Sequence, residues 1–515
     1  MSRQAFSIPL LLSLALGVGN AQSNQQLLEE GLRALQADDF AQAQHYFALL
    51  VKQDPSGTNF SYLAVAEASA GNVDQAITHF QQAIRLGNSS PRTYYNLGAA
   101  YLQRHESTEA IRELKLAVAK DPEFLPAQHA LGLALVDSGR PKEAIPYFEN
   151  ERRRSGKDPE VWVNLVEAQF AAGLTQAALH STDEAAEAIP GNNRMTVLLA
   201  NLCLDYQQPQ KARYLLENAS ELAAQDNSIK LLLAKASLAA GEPVEALAVL
   251  KDLPAGAGKK GELSFLQGVA LGRMGKFQEA ASHLSVAIAV DPENADYLIT
   301  YAWLQQLGAY YREALATLDK ARKLKPQSPL IPYASAVSFF LLHQYSQTVE
   351  SCEEAIRLAP QYAPTYLLLG IATMKQGDFR AAEGPLRRGI ALQPKTAFFH
   401  RELGVALFKS GDLTGSKKEL DQALSLDSKD ARAYFWQAQI LARQGQRQEA
   451  IAQLEAAVLL QPTYATAYGQ LAELYQAAGE PQKAAQALAK RGAGSDTEAI
   501  EDRGLFLQQL YQSLP

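Results

Sequence analysis

Chemistry in this 515-residue chain would have to come from eight histidines, two cysteines, a glycine triplet and scattered carboxylates. His45, His79, His105, His129, His180, His283, His343 and His400 include no His-x-x-x-His pair and no cysteine neighbour, so the spacing that seats a metal on a helix face is missing. These side chains read as surface or packing groups. Gly256, Gly258 and Gly261 spell G-x-G-x-x-G, but the dinucleotide fingerprint needs a strand before it, and the residues ahead of Gly256 read as helix. A flexible connector is the reading that the composition of residues 253–261, LPAGAGKKG, favours. The phosphate loop, the G-x-S-x-G elbow and the H-E-x-x-H helix do not occur. Asp137, Glu167 and Asp296 fall in separate segments, which leaves no paired carboxylates for acid–base work. With 55 acidic against 48 basic residues and a net charge of −7, there is no basic run to attract nucleic acid. The expectation is a chain with no cofactor, no metal and no catalysis.

The elements that would position any site come from one stretch, Pro91 to Phe124, that recurs in weaker copies along nearly the whole chain. Tyr94, Leu97, Gly98 and Tyr101 follow helical spacing. A polar break covers Arg104 to Thr108; then Ala110, Ile111, Leu114, Ala117 and Val118 mark a second apolar face that ends at Asp121-Pro122. Each copy is thus a helix, a tight turn and a second helix. Windows of 34 residues starting at Gly57 stay in register to residue 465, and an earlier copy begins at Asn24, giving fourteen copies. Their twentieth position holds only small residues, Ala110, Ala144 and Ala280 among them, with Thr348 and Ser416 the largest departures. The eighth position is Gly or Ala except at Val166. Side chains no larger than a methyl group there let two helix axes approach to about 8–10 Å. Phe80, Leu114, Phe148, Leu284, Leu386 and Leu454 at the twenty-fourth position fill the space beside the crossing. Proline at the thirty-second position, as at Pro122 and Pro360, stops the second helix.

This period and pattern resemble the tetratricopeptide repeat, over about nine tenths of the chain. The resemblance implies an all-α fold, an α-solenoid of about fourteen helix-turn-helix repeats. In such an array each unit contacts its neighbours and no globular domain boundary is needed. The expected organisation is an N-terminal half over 24–260, a C-terminal half over 261–498, and a capping helix over 499–515 entered through the capping box at Ser495 to Glu498. Copies six, seven and ten depart most from the pattern. Cys203 and Cys352 take apolar core positions four repeats apart, too far for a disulfide.

Residues 1–21 are a different material. Arg3 precedes an apolar core from Ile8 to Val18 and a small-residue site at Gly19-Asn20-Ala21, the pattern of a secretory signal peptide, and the apolar run is shorter than the roughly 20 residues that span a bilayer. An exported protein, periplasmic or secreted, without a membrane span after cleavage is expected.

By the resemblance, the first helix of each repeat lines a groove through positions two, five, nine, twelve and thirteen. Carried onto this chain, those positions give Phe265, Trp303, Tyr333, Phe340, Met374, Phe398, Phe408 and Phe435, interleaved with Arg273, Lys375, Arg401, Lys409, Arg432 and Arg443. Copies two to seven place mainly small or aliphatic groups there. Rigid rings with basic neighbours suit an extended peptide bearing apolar and acidic residues. Positions five and twelve read equally well as packing between repeats. The clamp with which some family members hold a carboxylate terminus is not built: Asn96 and Asn164 match its central Asn, but the preceding copies offer Ser61 with Val65 and His129 with Leu133. The resulting expectation is a protein-binding scaffold, with self-association as the alternative and a surface-borne activity as a third reading.

Overall fold

Helix after helix, α1 (Ala21–Gln36) through α28 (Pro481–Gly492), the computed structural model follows the register of the fourteen expected copies, two helices to a copy in chain order. It describes residues 21–219, 226–492 and 504–507, and among these every regular element is helical. The expected signal peptide lies outside the described residues except for Ala21, which already belongs to α1.

Local chemistry starts and stops these helices. Ser90 accepts from the Thr93 amide at 3.2 Å ahead of α5 (Pro91–Gln103), Asn192 caps Met195 at 3.0 Å, and Asp430 caps Ala433 at 3.0 Å. Between the helices of each pair, the fifteenth residue of the copy adopts a left-handed backbone. Nine copies use glycine there, from Gly71 to Gly479, and the others place Asp38, His105, Gln207, Ala309 and His343 in the same conformation. The following amide then returns to the carbonyl five residues back, as from Asn72 to Glu67 at 2.8 Å and Glu106 to Tyr101 at 2.9 Å, which closes the helix end. The φ of 64° at Ala309 is the costly one, because alanine has no polar side chain to offset the Cβ crowding.

Packing within a pair rests on the eighth and twenty-fourth positions. A methyl group added to Gly98 would lie 2.7 Å from Leu114 Cγ and 3.3 Å from the Ala110 carbonyl oxygen. At Gly132 it would lie 2.6 Å from Phe148 Cζ, and Gly268, Gly370 and Gly404 meet Leu284, Leu386 and Leu420 in the same way. Val166, the bulky residue at this position, has Thr182 in the partner register where every other copy places Leu or Phe except for Cys352, and both are fully buried. Volume is thus exchanged across the crossing. The two departures at the twentieth position are also resolved: Ser416 donates to the Gly404 carbonyl across the crossing at 2.7 Å, and Thr348 donates to Gln344 of its own helix at 3.0 Å.

The chain forms two compact units, Met1–Glu242 and Pro243–Pro515. The division falls inside the seventh copy, between α13 (Asn227–Ala239) and α14 (Pro243–Lys251), ahead of the boundary at 260/261 read from the sequence. Second helices in this region are short: α12 (Pro209–Glu217) and α14 have nine residues each, where most others have thirteen to fifteen. In the second unit the glycine stretch is pinned. Lys259 donates its amide to Glu262 at 2.8 Å, the Lys260 carbonyl accepts from Tyr297 at 2.9 Å, and Gly261 lies against the Ala287 backbone. Helix α14 precedes it, so the strand a nucleotide fingerprint requires is missing.

In the first unit, Glu151, a charge where the repeat asks for alanine, accepts from His129 at 3.0 Å. Burial works against the imidazolium, but that bond and the Glu151 charge lift the His129 pKa above its ordinary value. Cys203 and Cys352 are free and buried, and burial pushes the Cys203 thiol up to about 12.

Two exchanges of one methyl group should have opposite signs. Ala309→Gly relieves the left-handed backbone and should raise stability by about 0.5–1 kcal/mol. Gly132→Ala forces the Phe148 ring aside and should lower it by about 1–3 kcal/mol, net of the helix propensity gained. Thermal unfolding followed by circular dichroism reads both; equal and same-signed shifts would contradict this account of the crossing.

Candidate functional site

The thirteen groove candidates, and Met374 with them, lie in the second unit, and the structure separates them by position in the repeat. Fifth-position rings pack toward the next copy: Phe265 stacks on its Tyr297 with centroids 4.6 Å apart, and Tyr333, with no exposed surface of its own, meets edge-on at 5.2 Å Tyr362, the residue just ahead of the next first helix. Trp303, at the ninth position of α17 (Ala295–Leu307), is 3% exposed and lies against Gly272. Arg273, which ends α15 (Glu262–Arg273), is half-buried. These four residues belong to the inter-repeat core and its margin.

Six others meet in one open groove of about 520 Å³: Lys375, Phe408, Lys409, Arg432, Phe435 and Arg443. It crosses α21 (Ala363–Lys375), α23 (Ala397–Ser410), α25 (Ala431–Arg443) and the start of α27 (Ala465–Ala477), the first helices of four consecutive copies. Met374 and Phe408, at the twelfth position, and Trp436, which sequence reasoning passed over, complete its apolar floor. Phe408 and Phe435 each meet Trp436 edge-on at 5.3 Å. Trp436 stands at the sixth position, outside the set implied by the resemblance; the pair Phe435-Trp436 was the only signal available.

The basic residues divide into two kinds. Arg401 and Arg432 are buried and spend their charge inside the protein. Arg401 donates to Glu402 at 2.9 Å and to Asp430 at 3.0 Å, and Arg432 lies 3.4 Å from Glu402. Burial alone would raise the Glu402 pKa, but the guanidiniums of Arg432 and Arg401, with Lys375 beyond them, hold it below the usual carboxylate range. The four charges cancel, so Arg401 acts as a strut, and only its outer face, 4.8 Å above the Phe398 ring, is turned to other work.

Lys375, Lys409 and Arg443 are the second kind. All three are exposed, all stand at the thirteenth position, and none makes an ion pair among the described residues. Lys409 lies 5.2 Å over the Trp436 ring and Arg443 3.8 Å over Phe408, so the aromatic floor holds the cations in place while leaving their charge unneutralised. Trp436 is 9% exposed, and its Nε1 is buried with no acceptor among the described residues. A buried donor left so costs free energy until an acceptor arrives. The arrangement offers three cations at one register position beside an aromatic floor. Among the described residues no cluster of His, Cys, Asp and Glu is arranged to hold a metal, and no helix is long and apolar enough to cross a membrane.

Phe340, the remaining candidate, takes the twelfth position of α19 (Leu330–Leu341), two copies before Phe408, and lies 5.2 Å from the Phe506 ring. The capping helix expected over 499–515 lies outside the described residues except for Gly504–Leu507, and the recorded ring contact of that piece is with α19, whereas the sequence placed it over the last copy.

A family described as tetratricopeptide repeat matches residues 129–193, 265–329, 367–431, 409–458 and 437–499, a second of the same description matches 203–262, and a TPR repeat family matches 66–104. A BBSome complex member BBS4 homolog of Drosophila melanogaster is 26% identical over 57% of this chain and 63% of its own length. Small glutamine-rich tetratricopeptide repeat-containing protein 2 of Mycosarcoma maydis is 37% identical over 16% of this chain and 23% of its own length. The chain therefore spans less than two thirds of either relative. Among solved structures, the APC/C hetero-tetramer Cut9-Hcn1 is 17% identical with a TM-score of 0.42, covering 95% of this chain and 97% of its own. Yeast Tom70 is 16% identical with a TM-score of 0.35, covering 95% of each.

The buried charge cluster yields a stability prediction. Glu402→Gln leaves Arg401 and Arg432 short of a partner and should cost about 3–5 kcal/mol at neutral pH. Because the Glu402 pKa is depressed on folding, the stability tied to its ionisation is present above the unfolded carboxylate value. The gap between wild type and variant should therefore close only as pH falls below about 4.5 and through the lower folded value. Chemical denaturation at pH 7 and pH 3.5 checks both the size and the direction.

Proposed function

Because the chain belongs to the tetratricopeptide repeat family, a family of protein-interaction scaffolds, we propose that it is a non-catalytic adaptor whose second unit grips an extended acidic segment of a protein partner. The observation that carries this reading is that Lys375, Lys409 and Arg443 line one groove with Phe408, Phe435 and Trp436, Lys409 lying over Trp436 and Arg443 over Phe408. Successive first helices repeat the thirteenth position at a spacing on the order of 10 Å. An extended chain advances about 3.3 Å per residue, so carboxylates at every third residue keep step with the row. The side chains between them meet the aromatic floor, and a ligand carbonyl or carboxylate oxygen satisfies Trp436 Nε1. Nucleic acid fits less well, since three cations against a net charge of −7 make a local patch and no basic face.

A fluorescein-labelled peptide with Asp or Glu at every third residue and Leu or Phe between tests the reading by anisotropy. Lys409→Glu should weaken its binding at least tenfold at low salt, with the difference shrinking at about 0.5 M salt as screening shortens the reach of each charge. Trp436 emission should shift on binding. Unchanged affinity in Lys409→Glu at low salt would remove the groove as the site.

The setting proposed is export to a bacterial envelope or beyond, supported by the charged, apolar and small-residue succession of residues 1–21. N-terminal sequencing of the protein recovered from its native compartment should find a chain starting just after Ala21; a chain still starting at Met1 in an exported fraction would refute it.

A further inference from the structure

The thirteenth position that supplies the cations of the groove changes character earlier in the second unit. After Arg273 it reads Leu307 and Leu341, each half-buried, before it reads Lys375, Lys409 and Arg443. The same wall therefore has a basic stretch and an apolar stretch. The apolar stretch is the one that Gly504–Leu507 meets. Those four residues, Gly-Leu-Phe-Leu, carry no charge, and in them Phe506 is 0% exposed and Leu507 6% exposed, with Leu505 half-buried. So short a segment has no core of its own, and its phenylalanine vanishes from solvent only because a surface elsewhere in the unit accepts it.

That surface is identified by a ring contact. Phe506 stands edge-on to Phe340, centroids 5.2 Å apart at 74°, and Phe340 also meets Tyr345 at 5.7 Å. Phe340 belongs to α19, four helix pairs before α28, after which the segment emerges. It occupies the same twelfth position as Met374 and Phe408, which line the groove. The contact is thus made on the wall of first helices, away from the end of the stack.

We infer that the face of α19 around Phe340 is a second docking site, specific for an uncharged Leu-Phe-Leu segment, and that the chain's own residues 505–507 fill it as an internal ligand. A partner segment of the same aromatic and aliphatic chemistry gains the site only by displacing this one, so its apparent affinity is reduced by the fraction of molecules in which the site is occupied. The inference does not rest on the acidic-segment reading of the Lys409 groove, because neither its residues nor its charge are shared.

The test uses the full chain and a labelled synthetic peptide of residues 499–515. Wild type, with its site filled, should bind the peptide weakly, and Phe506→Ala, which releases the site, at least tenfold more tightly. Phe340→Ala added to Phe506→Ala should abolish the gain. Phe340→Leu, which keeps the volume filled should the alanine variant fail to fold, should lower affinity at least threefold. Equal binding by wild type and Phe506→Ala, or full binding by the double variant, would overturn the inference. So would a wild-type dimer that Phe506→Ala converts to monomer in sedimentation, since the segment would then belong to a second copy. Lys409→Glu placed on Phe506→Ala should leave the peptide affinity unchanged, and a loss there would overturn the separation of the two sites.

Discussion

The structure depends on how closely two helices can cross. At the eighth position a glycine or alanine lies under the large side chain of the twenty-fourth, and at Gly98 the carbonyl of Ala110 is 3.3 Å from where a Cβ would sit. Nothing larger than a methyl group is compatible with that contact unless the opposite residue shrinks, as Thr182 does across from Val166. Once this distance is set, the remaining positions of the copy have fixed duties. The fifteenth must turn left-handed, and the fifth must reach the next copy.

This division of duties explains why the aromatic residues of the second unit serve different ends. Phe265 stacks on Tyr297 of the next copy, and Tyr333 meets edge-on Tyr362, which stands just ahead of the next copy's first helix. Phe340 and Phe408, seven positions further along their helices, stand two turns away on the wall. A ring at the fifth position is therefore part of the frame, and a ring at the twelfth is available for contact with something else. Phe435 does both, meeting Tyr464, the last residue of its own copy and the one that precedes α27, at 5.3 Å while lining the groove.

Much of this was legible in the sequence because a repeat reports the same physical constraint fourteen times. The small eighth and twentieth positions mark a contact that every copy must make, and the prolines at the thirty-second position, in eight copies, mark where the second helix stops. The left-handed turn was equally present, in the glycines from Gly71 to Gly479, but five copies fill it with Asp38, His105, Gln207, Ala309 and His343, which hides the rule from a reading of residue types. The site was legible only in part. Six of the thirteen candidates share a groove because they share a register, whereas the engagement of Arg401 with Glu402 and Asp430 depends on residues one and twenty-nine positions away, which no periodicity links. Trp436 was invisible for a similar reason: its place in the floor is set by Phe408 of the preceding copy.

The two ways in which this unit uses positive charge separate the frame of the repeat array from its outward wall. Charges that stabilise are buried and cancelled within a few ångströms, as Arg401 and Arg432 are against Glu402 and Asp430; removing any one of them exposes the others to a full desolvation penalty. Of the charges that face outward, Lys409 and Arg443 rest on rings, and aromatic faces fix a cation's position without neutralising it. Substitution of an outward charge should therefore be cheap for folding, and its effect falls on whatever the wall holds. The thirteenth position can then vary from leucine to lysine to arginine along the same wall while the crossing beneath it stays unchanged. Specificity in such an array is written one copy at a time, at positions the core does not need.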